Sequence, residues 1–236
     1  MRALAAAIGL GLAVHAGATT IVAIWTPEKI VIAGDSLLNM NWTGGNGAPQ
    51  HKTSKDCKIR KFGSNYISAA GNYHIQTAGF DVWDTAAHAC RSSTNVDGCA
   101  SKFKTELRNR LAKVVGRHDI HLSVLVAGLE NGAPALEHIT LIGTPDGKLS
   151  VQTESFRKGK QTSGQVILGE RDAIDRSAPG AKISDNIEDQ ALALVKIEAR
   201  ALPQEVGAPF STLTIEGSGE KWTNPGCCPA ACSGVK

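Results

Sequence analysis

The sequence lacks several features that would define other classes of protein. It contains no internal repeat and no linker that would divide it into domains, and its basic residues are scattered rather than clustered. With 42% hydrophobic and 20% charged residues, its composition excludes disorder, collagen-like repeats and a coiled coil. A net charge of +3 without a basic patch does not indicate nucleic acid as a partner. The 236 residues predict one globular domain, or at most two small ones.

Long hydrophobic runs are also absent, except at the start of the chain. Arg2 precedes the apolar run 3–14, and Ala16-Gly17-Ala18 fits the small-residue pattern that precedes cleavage of a secretory signal. This run is too short to span a membrane, and no later stretch is apolar enough to do so. We therefore predict a signal peptide over residues 1–18, a mature chain that begins at Thr19, and a secreted or periplasmic location.

The cysteines are interpreted in the light of that export. An oxidising compartment favours disulfides, and the six cysteines are even in number. We predict that Cys90 pairs with Cys99 across a short polar segment, and that Cys57 pairs with a cysteine of the tail, residues 223–236. The spacing in that tail is not that of a CxxC pair, which disfavours a zinc or redox site. The tail cysteines are Cys227, Cys228 and Cys232.

The order of strand and helix patterns favours an α+β fold. Strands occur in blocks rather than in alternation with helices, which argues against a doubly wound parallel sheet. Two sheets packed face to face, with helices outside them, fit this order over residues 19–222. The predicted strands are Thr20–Trp25, Lys29–Asp35, Lys58–Phe62, Asn65–Gly71, Leu122–Ala127, Leu136–Ile142, Leu149–Thr153, Gln165–Leu168 and Phe210–Ile215. The predicted helices are Ile75–Ala89, one carrying Phe103, Leu107, Leu111 and Val115, and Ile187–Leu202, with a predicted loop over Leu38–Lys55 and a predicted capping box at Asp185 and Glu188.

One candidate nucleophile is Ser36. The segment Gly34-Asp35-Ser36-Leu37 resembles the first block of the GDSL (SGNH) esterases, in which this serine attacks an ester. That chemistry needs a histidine base close to the C-terminus, whereas the last histidine here is His138. The Gly-x-Asn-Asp block that supplies an oxyanion donor is absent as well. A serine esterase stays open as an alternative.

The second candidate nucleophile is Thr19. Four segments, 19–24, 31–35, 58–62 and 69–71, resemble the opening of proteasome β subunits, most closely the bacterial HslV-like branch. This is a family of N-terminal-nucleophile (Ntn) hydrolases. The resemblance implies a four-layer αββα sandwich in which Thr19 is the nucleophile, Asp35 and Lys58 support it, and the Gly71 N–H stabilises the oxyanion. It implies no metal and no organic cofactor.

A physical argument stands beside the resemblance. A threonine hydroxyl is a poor nucleophile, but a free α-amino group has a pKa of roughly 7.7–8.0 and can take up its proton. Such an amine exists at Thr19 only if the chain is cut directly before it, which is where the signal pattern predicts the cut. A positive charge at Lys58 would lower the pKa of hydroxyl and amine, and Asp35 would orient that lysine. The residues leave open whether Lys58 or the amine is the base.

The sequence also departs from the family. Leu168 occupies the position of a supporting serine, and the later Asp-x-x-Ser motif is not clearly present near residues 203–207. Glu170 or Glu205 could substitute for them. Lys52 and Lys55 are rival lysines in the predicted loop.

Other polar residues have two interpretations each. Tyr73 and His74 line a substrate pocket or begin a helix. His118, Asp119 and His121 bind a metal or form a solvated connection, and the second interpretation is favoured. Trp222 is expected to pack against the fold.

The expected substrate is a peptide or a small amide, and the acyl-enzyme would be released by water. An exported protein has no ATP for an unfoldase partner, so a small-molecule amidase or acylase fits nearly as well as a peptidase. The mature chain is expected to need neither nucleic acid nor a membrane, and a homo-oligomer stays open. A catalytically inactive Ntn-fold scaffold is a further alternative.

Overall fold

The structure is a computed structural model that describes residues 19–43, 49–75, 78–116, 119–144, 146–157, 163–180 and 182–223. The predicted signal peptide, the three tail cysteines and His118 lie outside these ranges. The described part is a mixed α+β fold with mostly antiparallel sheets, which confirms the predicted fold class at that level.

The first large sheet holds the start of the described chain. Its five strands lie in the order β12-β1-β2-β13-β14, and every neighbouring pair is antiparallel. Because β2 is buried on both faces, it has the continuous apolar run Ile30-Val31-Ile32-Ala33 rather than an alternating pattern. The strands are β1 (Thr20–Trp25), β2 (Lys29–Gly34), β12 (Gly164–Gly169), β13 (Ser211–Glu216) and β14 (Gly219–Thr223).

The second large sheet is also five-stranded and antiparallel, in the order β11-β10-β9-β6-β5. Strands β9 and β10 are long and are joined by a tight turn at Asn131 and Gly132, whereas the connection from β6 to β9 contains two short strands and the first two helices. The strands are β5 (Ile59–Phe62), β6 (Asn65–Gly71), β9 (His121–Glu130), β10 (Ala133–Gly143) and β11 (Leu149–Arg157).

The predicted loop over Leu38–Lys55 is wrong. The structure forms a two-stranded antiparallel sheet there, β3 (Leu37–Thr43) with β4 (Pro49–Lys55), paired from Leu37↔Lys55 to Thr43↔Pro49. Among the described residues, these strands pair only with each other. Strand β3 alternates, with apolar residues at Leu38, Met40 and Trp42, but the Gly-, Asn- and Thr-rich composition of the stretch is typical of a loop and conceals this signal. Strand β4 carries no apolar alternation.

The first helix is shorter than predicted. Two short strands before it, β7 (His74–Ile75) and β8 (Phe80–Asp81), instead form a small antiparallel pair. The helix begins only at Val82, because the Asp81 carboxylate accepts from the N–H groups of Trp83 and Asp84 and so caps it. The helices are α1 (Val82–Cys90), α2 (Val96–Leu111), α3 (Asp172–Ser177) and α4 (Ile187–Ala201).

Two further details correct the sequence pattern. The N-cap of α4 is Asn186, whose side-chain oxygen accepts from the Asp189 N–H at 3.2 Å, and not the predicted pair Asp185 and Glu188. Helix α3 and strand β14 were not predicted, since both are short and carry little periodic apolar sequence.

Three clusters of buried apolar side chains hold these elements together. The central cluster contains residues of both large sheets, such as Ile21 and Ile32 from the first and Leu125 and Leu136 from the second. A second cluster joins α1 and α2 to the other face of the β6–β9–β10 sheet. A third joins α3 and α4 to the other face of β1 and β2. Trp222 packs edge-on against Tyr66 beside the central cluster, which confirms its predicted packing role.

The predicted Cys90–Cys99 disulfide is present, with an S–S distance of 2.08 Å. It ties the end of α1 to the first turn of α2. Cys57 is disulfide-bonded as well, but its partner lies outside the described residues.

Candidate active site

Five separate segments meet at one end of the gap between the two large sheets. Thr19 precedes β1, Asp35 follows β2, Lys58 precedes β5, Gly71 ends β6, and Gly169 ends β12. The contacts described below connect these segments, although up to 150 residues of chain separate them. The arrangement brings the four residues predicted from the sequence, Thr19, Asp35, Lys58 and Gly71, to the same end of the fold.

Asp35 is buried and holds the first segment in place. Its carboxylate accepts from the Thr20 N–H at 3.0 Å, while its own N–H donates to the Thr20 carbonyl at 3.3 Å. It also accepts from the N–H groups of Leu37, at 3.1 Å, and Gly207, at 3.4 Å. Burial raises the pKa of Asp35 to about 6, although Lys58 and these backbone donors act to lower it.

Lys58 is the largest charged side chain in the interior, with 1% of its surface exposed. Its Cβ lies close to Gly34, since a Cβ added to that glycine would be 3.7 Å away. Burial lowers the pKa of Lys58, Arg60 acts in the same direction, and Asp56 and Asp35 oppose the shift. The ammonium donates to the hydroxyl of Tyr73 at 3.0 Å, not to Asp35 as the sequence had suggested.

Gly71 occupies a backbone conformation that only glycine adopts easily. Its φ is +89°, and an added Cβ would be 1.9 Å from the carbonyl oxygen of His121. The next residue fixes the turn, because the Asn72 N–H donates to the His121 carbonyl and the Asn72 side chain accepts from the His121 N–H at 2.7 Å. A side chain at position 71 would therefore displace the end of β6.

Gly169 and Glu170 hold Thr19 from the opposite side. The Glu170 N–H donates to the Thr19 carbonyl at 2.8 Å, and the Thr20 hydroxyl donates to the Glu170 carbonyl at 2.9 Å. At φ +79°, Gly169 approaches so closely that an added Cβ would be 1.7 Å from the Thr19 carbonyl oxygen. Leu168, at the expected serine position, lies in the central cluster.

Glu170 is one of the two substitutes proposed from the sequence, and the other, Glu205, lies near it. Burial raises the pKa of Glu170, and the negative charges of Glu205, Asp172 and Glu198 raise it further. Two carboxylates thus lie near the segment that holds Thr19.

Tyr73 is the site residue whose role the sequence did not indicate. It is 3% exposed, with its hydroxyl on Lys58 and its ring tilted against Trp83 at a centroid distance of 6.1 Å. The guanidinium of Arg60 in turn lies 4.3 Å from the Trp83 ring centroid. Its position two residues after Gly71 was the available signal. His74, by contrast, is exposed and pairs with Asp81 at 3.0 Å.

In the esterase alternative, the nucleophile Ser36 and the last histidine, His138, belong to different parts of the fold. Ser36 is buried, its N–H donates to the Gly207 carbonyl, and its carbonyl accepts from the Asp56 N–H. His138 lies 2.7 Å from a different hydroxyl, that of Ser123, and 3.2 Å from that of Thr140. Burial lowers the pKa of His138, with Glu154 opposing the shift.

Of the two rival lysines, only Lys55 has a side chain that the structure describes. Lys55 ends β4 with an exposed side chain, and the side chain of Lys52 lies outside the described residues. Two surface clefts also lie elsewhere: neither is lined by a residue of the candidate site. One cleft is beside Glu130 and Arg157, and the other is between α2 and β11.

Comparisons with known proteins give no family for this chain. No family model matches it, and no curated protein matches it. Among the described side chains, no group of three His, Cys, Asp or Glu residues is arranged to hold a metal ion. None of the helices in the described ranges is long and apolar enough to cross a membrane.

Proposed function

We propose that this protein is a secreted or periplasmic, proteasome-like N-terminal threonine hydrolase that cleaves amide bonds through an acyl-enzyme. In this proposal Thr19 is the nucleophile, Lys58 and Asp35 are the charged groups beside it, and Gly71 lies at the oxyanion position. The observation that carries the proposal is that these four residues, distant in sequence, end at the same side of the gap between the two large sheets.

The finer architecture belongs to the same proposal. The three apolar clusters lie between α1/α2 and one sheet, between the two sheets, and between the other sheet and α3/α4. We infer from their order a four-layer αββα sandwich of the Ntn type. In such a fold the gap between the sheets opens at the end where β1 begins, and Thr19 precedes β1.

The reaction would proceed in two balanced steps. In the first, the Thr19 hydroxyl oxygen attacks the carbonyl carbon of an amide, the C–N bond breaks, and the hydroxyl proton passes by way of the base to the leaving amine. In the second, water attacks the resulting ester, releases the acid and returns the proton to Thr19. The negative oxygen formed in each step would be stabilised by the N–H of Gly71.

The buried lysine supports a role in moving that proton. Burial lowers the pKa of Lys58 from its ordinary value, which favours the neutral form of this side chain relative to that of an exposed lysine. Buried titratable side chains whose pKa values are shifted are typical of catalytic sites. The α-amino group of a mature Thr19 is the other group able to take the proton.

Peptides and small amides are both proposed as substrates, with no nucleic acid and no membrane as partner. The closeness of Glu170 and Glu205 to the Thr19 segment favours a substrate whose group at that position is neutral or cationic, because an anion there would be repelled.

The test begins with the secreted protein, whose first residue is determined by N-terminal sequencing. Hydrolysis of a panel of acyl and peptidyl aminocoumarin amides is then measured for the wild type, Thr19→Ala and Thr19→Ser. We expect a start at Thr19, a loss of at least ~10³-fold in kcat/KM for Thr19→Ala, and retained activity for Thr19→Ser, which keeps the hydroxyl.

The same assay separates the alternatives. A mature start other than Thr19, or full activity in Thr19→Ala, would contradict the proposal. Activity lost in Ser36→Ala but kept in Thr19→Ala would instead support the serine esterase. No turnover of any substrate by a protein that begins at Thr19, together with no covalent labelling of Thr19 by a β-lactone, would favour the inactive scaffold.

A further inference from the structure

Lys58 hydrogen-bonds to a neutral group. Its ammonium lies 3.0 Å from the hydroxyl oxygen of Tyr73 and 5.0 Å from the centroid of the same ring. Both side chains are almost fully removed from solvent. A buried ammonium is ordinarily matched by a carboxylate, so a phenol as its hydrogen-bond partner requires an explanation.

A phenol can do what a carboxylate cannot. The hydroxyl oxygen accepts a hydrogen bond from a charged lysine, and the hydroxyl proton can be donated to the nitrogen of a neutral lysine. An ionised carboxylate only accepts, so it would lose its hydrogen bond when the lysine loses its proton. Tyr73 is therefore suited to remain bonded to Lys58 while a proton moves on and off it.

The groups around Tyr73 keep its phenol protonated. Burial raises the pKa of Tyr73, and the negative charges of Asp56, Asp35 and Asp81 add to this while Arg60 opposes it. The phenol consequently stays protonated across the neutral range. The charged groups that act on Lys58 are Asp56, Asp35 and Arg60.

The backbone also fixes the ring. The Tyr73 N–H donates to the Gly71 carbonyl at 2.8 Å, and the Tyr73 carbonyl accepts from the Val82 N–H at 2.8 Å. The ring packs on Trp83, which the Arg60 guanidinium covers. One residue thus connects the turn at Gly71 with the nitrogen of Lys58.

We propose that Tyr73 is a positioning residue that stays hydrogen-bonded to Lys58 in both of its protonation states and so holds the lysine in line as it exchanges a proton with Thr19. The role in catalysis rests on the proposed function, whereas the hydrogen-bond exchange itself does not.

A titration without catalysis tests the hydrogen bond. Lysine carrying ¹³C at Cε is incorporated into mature Thr19→Ala protein, and the Lys58 signal is followed against pH by NMR with and without Tyr73→Phe. We expect Tyr73→Phe to lower the pKa of Lys58 by about one unit, since the bond to the ammonium is stronger than the bond to the amine. Tyr66→Phe is the matched control, because Tyr66 is equally buried and lies near Lys61.

A second probe keeps a phenol at position 73. The chain contains two tyrosines, so 3-fluorotyrosine incorporated into Tyr66→Phe protein reports on Tyr73 alone. We expect its ¹⁹F signal to shift with the same midpoint as Lys58. This measurement decides the matter even if Tyr73→Phe fails to fold.

The kinetic arm uses the mature protein with an intact Thr19. Tyr73→Phe should lower kcat about 10-fold or more, leave KM within a factor of about three, and move the acid limb of the kcat profile to lower pH. The inference is overturned if Tyr73→Phe leaves the titration midpoint of Lys58 unchanged. If that variant does not fold, the inference is overturned by a ¹⁹F signal of Tyr73 that does not shift with the titration midpoint of Lys58. An equal loss at every pH, with the Lys58 midpoint unchanged, would indicate a purely structural role. Full activity of Thr19→Ala would defeat the proposed function alone, because the titrations do not depend on it.

Discussion

Lys58 and Arg157 are two basic side chains withdrawn from solvent, and the fold treats them differently. Arg157, 14% exposed at the end of β11, is ion-paired with Glu130 at 2.8 Å, with Glu137 at 3.2 Å and with Asp97. Its guanidinium also donates to the carbonyls of Leu136 and Phe156, at 2.8 Å each. Lys58 is 1% exposed and donates to the phenol of Tyr73. The carboxylates of Asp56 and Asp35 act on the pKa of Lys58 through their charge.

The difference separates a structural charge from a reactive one. A guanidinium whose donors are satisfied by carboxylates and carbonyls cannot lose its proton and serves to join strands and helix. A buried ammonium without a direct carboxylate costs stability, and its pKa falls. Proteins retain such a costly group where a titrating side chain is needed.

The strongest way to break this comparison is Lys58→Met. We expect amidase activity to fall on the order of 10³-fold, as for loss of a general base, while thermal stability stays the same or rises because a buried charge is removed. The matched control is Lys61→Met in β5, the strand that Lys58 precedes, where the lysine is 43% exposed and paired with Glu220. Loss of stability without loss of activity in Lys58→Met would make Lys58 the structural charge.

Arg157→Leu is expected to show the opposite behaviour. Its removal takes the close guanidinium from Glu130 and leaves Glu137, among the described residues, with only Lys104, at 3.8 Å, as an ion-pair partner, which should cost about 3 kcal/mol in the free energy of unfolding. The activity of the folded fraction should not change. Urea unfolding measures the loss, with Arg171→Leu, a 52%-exposed member of a surface pair, as the control expected to stay within about 0.5 kcal/mol. A comparable loss in both variants would contradict the structural role of Arg157.

The pH dependence of stability sharpens the comparison at Asp35. The pKa of Asp35 is about 6 in the folded protein, whereas its ordinary value, taken for the unfolded chain, is 3.8. Between these two pH values the folded state therefore binds more protons than the unfolded state. The stabilisation from neutral Asp35 is complete below about pH 4 and lost as the pH rises through 6, by about 2–3 kcal/mol.

We therefore expect wild type to lose stability relative to Asp35→Asn between pH 4 and pH 7, measured as the difference in unfolding free energy. Asp185→Asn, at an exposed position before α4, should run parallel to wild type. Parallel curves for wild type and Asp35→Asn would show that burial does not raise the pKa of Asp35.

The smallest effect is expected at Asp97, the most exposed of the three carboxylates that pair with Arg157. Asp97 is 67% exposed, and Arg157 keeps two other carboxylates without it. Asp97→Asn should therefore cost less than about 0.5 kcal/mol in urea unfolding, because exposed pairs are screened by solvent. A cost near that of Arg157→Leu would show that the exposed pair, and not the buried ones, carries the stability.

The sequence predicted the buried strands best. β1, β2 and β6 carry β-branched or apolar residues at nearly every position and are bounded by turn residues, so their ends differ from the prediction by no more than one residue. The β3–β4 pair and the β7–β8 pair could not be found in this way. Each pairs only within itself among the described strands. Strands β7 and β8 have two residues each, which is too short for a periodic pattern, and β4 has no alternating apolar residues. The alternation in β3 lies in a Gly- and Asn-rich stretch whose composition indicates a loop.

For the candidate site, the residue types and their order were predictable, and their partners were not. Thr19, Asp35, Lys58 and Gly71 were predicted from the resemblance of their segments to the opening of proteasome β subunits. The contact of Glu170 with the Thr19 segment joins residues 150 positions apart, and it depends on β12 pairing with β1. Tyr73 was noted as lining a pocket, but its bond to Lys58 depends on how the turn after Gly71 folds back.

The sequence by itself determined, from local composition and periodicity, that the chain is α+β, that strands such as β1, β2 and β6 are buried, and that Cys90 and Cys99 pair. Thr19, Asp35 and Lys58 became candidates through the resemblance of their segments to a known family. The tertiary structure decided which groups touch: it gave Lys58 a phenol instead of a carboxylate and gave Arg157 three carboxylates. It did so because desolvation and hydrogen-bond geometry depend on neighbours from other strands, which no local pattern contains.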